Sequence, residues 1–196
     1  MTDGSLLIGK LGQTSADNLI SLFLPGNNEL LIDTRKISEI KIQSANLVYL
    51  SDLEPIDVEQ RSSFAVERAW QRDLSIEGNP LTLGLSGSGR TVRFEKGLGT
   101  SAFTRIEYDN SEGFTRFRAV VGIDVETGGR GDCQVSVVGD GIQLWTGRVK
   151  ADDDPAPVSV DITGLQQISL VVEPGEQFDL ADHVDWGEAR FTRTGQ

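Results

Sequence analysis

Cysteine is nearly absent. Cys133 stands alone among 196 residues, which excludes an intramolecular disulfide. It falls in the alternation Cys133, Val135, Val137, the setting of a small buried hydrophobe. Histidine is as scarce, with His183 the single copy. A Ser-His-Asp triad would need Ser101 or Ser111 as its nucleophile, and no G-x-S-x-G elbow is present. The acidic residues are too many for spacing to settle a glycosidase-type carboxylate pair, so that chemistry stays open at this level. No apolar run approaches the ~20 residues of a membrane span. Basic residues are outnumbered, 18 against 30 acidic ones, for a formal charge of −12. Such a surface repels phosphate backbones, which argues against a nucleic-acid partner and suits neutral sugars and divalent cations. No secretory leader follows Met1. The expectation is a cytoplasmic chain, or a mature piece or excised module of a larger exported protein.

Helical periodicity is also scarce, with Ala16 to Leu22 and Phe64 to Trp70 the only candidates. Glycine, by contrast, occurs 22 times, and Val, Ile, Thr and Phe cluster in short runs. That pattern predicts many short strands joined by tight turns. Residues 5 to 50 read as about five strands, with a turn at Pro25-Gly26-Asn27-Asn28. They suit a small SH3-like β-barrel over residues 1–55, or alternatively an extension of the following domain's sheets. Residues 56–63 are polar and read as a linker, and residues 64–196 as a β-sandwich. Gly84 to Gly89 reads as a turn, since a phosphate-binding loop would end in Lys-Ser/Thr and open a helix. Arg130-Gly131-Asp132 spells an adhesion tripeptide that glycine-rich turns produce by chance. Asp152 to Asp154 reads as a solvated acidic loop.

The stretch Lys96 to Asp124 organises the second part. Gly97 and Gly99 flank Leu98, where tight turning needs the absence of a side chain. Thr104 to Tyr108 alternates as a strand. After Asp109-Asn110-Ser111-Glu112-Gly113, a second strand ends at Gly122-Ile123-Asp124. Phe117, Ala119 and Val121 share one of its faces. With Cys133, Val135, Val137, Leu170 and Val172 they are expected to form one core. A further motif, Asp182-His183-Val184-Asp185-Trp186, precedes the last strand.

These motifs resemble the NPCBM family of carbohydrate-binding modules, β-sandwiches found on glycoside hydrolases and on many bacterial extracellular proteins. The family pattern Lys-Gly-Leu-Gly-small-His is followed except that Ser101 fills the His position. Val48 to Pro55 is similar to a bridge preceding this module in multidomain proteins. The resemblance spans roughly residues 64 to 194. It implies an all-β chain whose C-terminal part is a galactose-binding-like jelly-roll sandwich. The implied function is non-catalytic recognition of glycans, galactose-type ones first, within a larger extracellular or periplasmic protein. The alternative is a structural or protein-interaction sandwich that has lost its sugar site, which Ser101 favours.

A sugar site needs an aromatic plane for the pyranose face and polar side chains around its hydroxyls. Trp145 and Trp186 are the candidate planes, and Lys96, Ser101, Arg105 and His183 the candidate hydrogen-bonding groups. Asp182, Asp185 and Glu188 are candidate ligands for a structural calcium, because carboxylates spaced along a turn converge on a hard cation. For this last segment the purely structural reading stands beside the functional one: Asp182 as a cap, Trp186 as core, His183 as a satisfied hydrogen-bonding group.

Overall fold

A computed structural model of the chain describes residues 7, 9–14, 18–26, 28–37, 46–61, 69–175 and 181–193. The chain divides into two compact units, Met1–Gln43 and Ser44–Gln196.

In the first unit β1 (Lys10–Thr14), β2 (Leu19–Leu24) and β3 (Asn28–Asp33) form an antiparallel meander. Leu19 to Leu24 forms a strand, as its apolar run predicts, and buries Ile20 and Leu22, so the helical candidate over Ala16 to Leu22 is not realised at Leu19 to Leu22. The turn to β3 passes through Gly26 at φ +91°, backbone that glycine adopts without steric cost. The described residues of this unit form one three-stranded sheet, fewer strands than a closed barrel requires. Most of the strand expected at Ile37 to Ile42 lies outside the described residues.

The second unit begins with β4 (Leu47–Tyr49), β5 (Asp57–Gln60), β6 (Gln71–Arg72) and the hairpin β7 (Thr82–Leu85) and β8 (Arg90–Arg93). Next come β9 (Gly97–Ser101), β10 (Thr104–Asp109), β11 (Arg116–Ile123), β12 (Asp132–Gly139) and β13 (Ile142–Lys150). It ends with β14 (Ala156–Asp161), β15 (Gln167–Pro174) and β16 (His183–Thr192). One sheet has the order β13-β12-β15-β10-β5, the other β14-β11-β16-β9-β6. All pairings are antiparallel. Among the described residues no helix is long and apolar enough to cross a membrane.

The two sheets share one core. Ile106, Tyr108, Val135, Val137, Leu170 and Val172 from the five-stranded sheet join Phe117, Val121, Val158, Val184, Trp186 and Phe191 from the other. The eight residues expected in the core from their period-two spacing are each at most 5% exposed.

Strand β16 carries the six-stranded sheet. One edge pairs with β11 along its length. The other edge is divided, with His183 to Gly187 on β9 and Arg190 to Thr192 on β4. The division falls at Glu188, a non-glycine residue at φ +55°. Arg118 and Val120 of β11 oppose Arg190 and Gly187, so β16 carries one extra residue there. That bulge shifts the inward phase from Val184 and Trp186 to Ala189 and Phe191.

The glycines of the Lys96 motif lie inside β9 rather than at a turn. A Cβ on Gly97 would overlap the Trp186 carbonyl, and one on Gly99 the Leu74 carbonyl. They allow close approach of neighbouring backbone.

The boundary expected at residue 55, with a linker over 56–63, is corrected by the strand pairing. Asp57–Gln60 is the edge strand of the five-stranded sheet, paired with Thr104 to Glu107. It reads as linker because Asp57, Val58 and Glu59 are exposed, and an edge strand is held by its backbone with little apolar burial. Leu47–Tyr49, first assigned to the N-terminal domain, pairs with Arg190–Thr192, and Leu50 is fully buried in the sandwich core. For this strand the extension alternative is the one realised. A fragment beginning at Ser44 is therefore expected to melt cooperatively. One beginning at Phe64 lacks β4, Leu50 and β5 and should melt at a lower temperature or not fold. Circular dichroism melts of the two fragments decide this, and equal midpoints would restore the linker reading of 56–63.

Candidate functional site

The strand registers gather a set of polar residues at one end of the sandwich. β16 begins with His183, directly opposite Ser101, the last residue of β9. β10 begins with Thr104, opposite Gln60, the last residue of β5. Ala102 and Phe103 cross from one sheet to the other between these two rows. β11 ends at Ile123, and a short 3-10 turn over Val125–Thr127 follows, capped by the Asp124 carboxylate accepting from the Glu126 N–H at 2.7 Å.

At this end His183 Nδ1 lies 2.9 Å from Glu126 Oε1. The other Glu126 oxygen accepts from Ser75 Oγ at 2.6 Å and Asn79 Nδ2 at 3.0 Å. Burial opposes charge on Glu126, but the hydrogen bonds from Ser75, Asn79 and His183 hold its carboxyl below the ordinary glutamate value. The His183 side chain is only 12% exposed, so the network presents an oriented imidazole. Gln60 braces the same end. Its Nε2 donates to Ser101 Oγ at 3.2 Å, and its Oε1 accepts from the Trp70 N–H at 3.1 Å.

Behind this network lies a buried carboxyl pair. The Thr82 N–H is 3.0 Å from Asp124 Oδ2 and 3.0 Å from Asp185 Oδ2. Asp124 and Asp185 are 2% and 1% exposed. Burial, then the adjacent Asp124 carboxylate, push the Asp185 carboxyl up to about 10. That shift favours the neutral form of Asp185 at neutral pH. Asp185 Oδ1 is buried with no donor facing it, which a neutral carboxyl tolerates better than a carboxylate does.

Of the residues read from sequence as sugar-binding, Ser101 and His183 come together here. The others do not. Trp186 is fully buried and packs beside Phe117 with ring centroids 6.5 Å apart, so it offers no face to a sugar. Trp145 is half-buried against the core edge, next to Gly147. Lys96 Nζ donates to Asp52 at 2.6 Å and Asp73 at 2.8 Å, tying three segments of the fold together. Arg105 pairs with Glu107 at 2.8 Å along β10.

The proposed calcium ligands also separate. Asp182 Oδ1 accepts from the Asp132 N–H at 2.9 Å. Glu188 accepts from the Tyr49 hydroxyl at 3.2 Å and from Arg190 at 3.0 Å. Among the described residues no three His, Cys, Asp or Glu side chains converge as a metal site. The spacing argument fails because β16 turns alternate residues to opposite faces, and the bulge rotates Glu188 away again. Asp132 of the adhesion tripeptide is buried and paired with Arg148. Asp154 of the acidic run caps the β7–β8 turn through the Ser86 N–H at 2.8 Å.

Sequence reasoning missed Gln60, Ser75, Asn79, Asp124 and Glu126. Asp124 closes the Gly122-Ile123-Asp124 motif, which was visible without its role. The others lie in polar segments that carry no periodic signal.

Fold and site together define a galactose-binding-like β-sandwich with a polar, loop-bounded end. The chain belongs to the NPCBM/NEW2 domain family, whose model matches residues 46–192. It is similar to the CBM51 module of Clostridium perfringens GH95, solved in complex with methyl-galactose. That likeness has a TM-score of 0.67 and 30% identity, over 74% of this chain and 99% of that one. The tandem CBM51 modules of the family 98 glycoside hydrolase from Streptococcus pneumoniae match with a TM-score of 0.65 and 29% identity, over 81% of this chain and 52% of theirs. A Renibacterium salmoninarum protein named "Putative endo-alpha-N-acetylgalactosaminidase" is 29% identical over 144 residues. Those residues are 73% of this chain and 9% of that protein, so the chain spans a small part of the relative's length.

The buried pair sets a pH dependence. A carboxyl whose folded pKa is raised stabilises most below its unfolded value and loses that contribution as pH rises toward the folded one. In chelator, this group should lower stability steadily as pH rises across the neutral range. Asp185→Asn keeps a donor at the position and abolishes the titration. Urea denaturation at about pH 5 and about pH 8 is expected to show the variant gaining on wild type as pH rises. Parallel pH profiles would mean that Asp185 is charged in the folded protein.

Proposed function

We propose that this chain is a non-catalytic carbohydrate-binding module that takes galactose-type glycans at the end bounded by Ser101, His183 and Gln60. The observation that carries the reading is the likeness to the GH95 module, solved with methyl-galactose and matched over 99% of its length. The polar end supports it. A buried carboxylate orients His183, and an amide braces Ser101, so hydroxyl-binding groups are held in place before a ligand arrives. The network also argues for binding over hydrolysis. Ser75 donates to Glu126 and not to the imidazole, so this serine is not set up for activation by His183. The share of the Renibacterium relative that is matched, 9%, supports a module working within a larger exported protein. Affinity at one such site is weak and rises when several act together.

The competing reading, a structural or protein-interaction sandwich without a sugar site, draws on Ser101 standing where the family motif has histidine. A glycan array followed by titration with methyl-galactose and N-acetylgalactosamine separates the two. Retention of galactosides is expected, with Ser101→Ala weakening binding roughly threefold to tenfold at an unchanged melting midpoint. Retention of no glycan would favour the competing reading.

We also propose that calcium competes with the proton for Asp185, whose carboxyl shares the Thr82 N–H with that of Asp124. The donor-free Asp185 Oδ1 supports this site. Millimolar calcium against chelator should raise the melting midpoint of wild type and leave Asp185→Asn unmoved. An unchanged wild-type midpoint would leave the pair to the proton alone.

A further inference from the structure

Phe103 is held in a conformation that its own residue type disfavours. Its φ is +59°, and a bulky side chain in the left-handed region is a genuine outlier. Asn18, Asp73 and Asp140 share that region with short polar side chains that tolerate it, and Ala181 and the bulged Glu188 share it too, but neither carries a ring. Burial does not offset the strain, because Phe103 is 38% exposed. The backbone around it is pinned on both sides of the corner between the sheets. The Phe103 carbonyl accepts from the Arg61 N–H at 3.1 Å, and the Ala102 N–H donates to the Asp182 carbonyl at 3.2 Å.

The corner lies between the two rows that form the polar end. Ser101, opposite His183, is two residues before Phe103. Thr104, opposite Gln60, is the next residue. Among the described residues Phe103 is the exposed aromatic beside these rows, adjacent in the chain to groups suited to sugar hydroxyls. The tryptophans are less available. Trp186 is fully buried and Trp145 packs on the core edge. The Arg72 guanidinium sits 5.1 Å from the Trp70 ring centroid, covering one of its faces.

We propose that Phe103 is the aromatic platform of the sugar site, stacking on the apolar face of a galactose-type pyranose while Ser101, Gln60 and His183 meet its hydroxyls. The proposal rests on the carbohydrate-binding reading and adds to it the residue that selects for a pyranose face. Galactose exposes a continuous C–H surface on one side of the ring, which an aromatic plane fits.

The test is Phe103→Gly, with Phe103→Trp as the conservative partner. Glycine removes the backbone strain and the ring together. Phe103→Gly is expected to melt at or above the wild-type temperature while its affinity for methyl-galactose falls about tenfold or more. Phe103→Trp should retain binding, and ligand-observed NMR should show saturation transfer to the apolar C–H face of the sugar in wild type only weakly reproduced in Phe103→Gly. Affinity of Phe103→Gly within twofold of wild type, with wild type binding, overturns this proposal and leaves the carbohydrate reading intact. Binding lost together with a lowered melting midpoint assigns Phe103 to folding and also overturns it. A wild-type chain that binds neither methyl-galactose nor N-acetylgalactosamine overturns both.

Discussion

The backbone of β16 meets three other strands, and the layout of the second unit follows from that pairing. β11 holds one edge, while β9 and β4 share the other on either side of the bulge at Glu188. The strand is also buried from both faces along its first half. Trp186 points into the sandwich, and Asp185 points outward beneath the β7–β8 hairpin, whose Thr82 N–H it accepts. Gly187 lies against the Phe94 ring, where a Cβ would overlap it. A strand covered this way has to find polar partners inside the protein, and it does so for all but a few atoms, Asp185 Oδ1 and Trp186 Nε1 among them. The Asp-His-x-Asp-Trp motif reflects that requirement: each of its residues faces a different neighbour.

The buried acids explain how a chain of charge −12 builds a preorganised polar end. Asp124 caps the turn that carries Glu126, and Glu126 orients His183. Asp182 holds the start of β12 through the Asp132 N–H, and its backbone carbonyl holds the Ala102 corner. These carboxylates accept from backbone and side-chain donors at fixed positions, so the loops at this end are braced by hydrogen bonds more than by apolar packing. Such an arrangement suits a neutral, hydroxyl-rich ligand. It would hold a phosphate poorly, because the fixed charges nearby are negative.

The second unit also shows how polar an integral strand can be. Asp57–Gln60 has the composition of a linker, and its backbone completes the five-stranded sheet. Gln60 at its end then braces both Ser101 and Trp70. A segment with almost no apolar signal thus closes a sheet and supports the candidate site.

Period-two alternation by itself determined the β class and the core. Phe117, Ala119, Val121, Val135, Val137, Leu170 and Val172 point inward as their spacing requires, because strand geometry ties side-chain direction to sequence position. The Lys-Gly-Leu-Gly and Asp-His-x-Asp-Trp motifs marked the strands that meet at the polar end, and Ser101 and His183 were legible as partners from them. Only the tertiary structure decided the rest. Whether Trp186 is platform or core depends on which face of β16 is covered. Whether Asp182, Asp185 and Glu188 converge depends on the pleat and on a one-residue bulge. Whether residues 57–60 are linker or strand, and which unit the strand at residues 47–49 joins, depends on partners more than forty positions away in the chain. Backbone pairing at that separation leaves no local trace in composition, because the hydrogen bonds that define an edge strand are made by groups every residue carries.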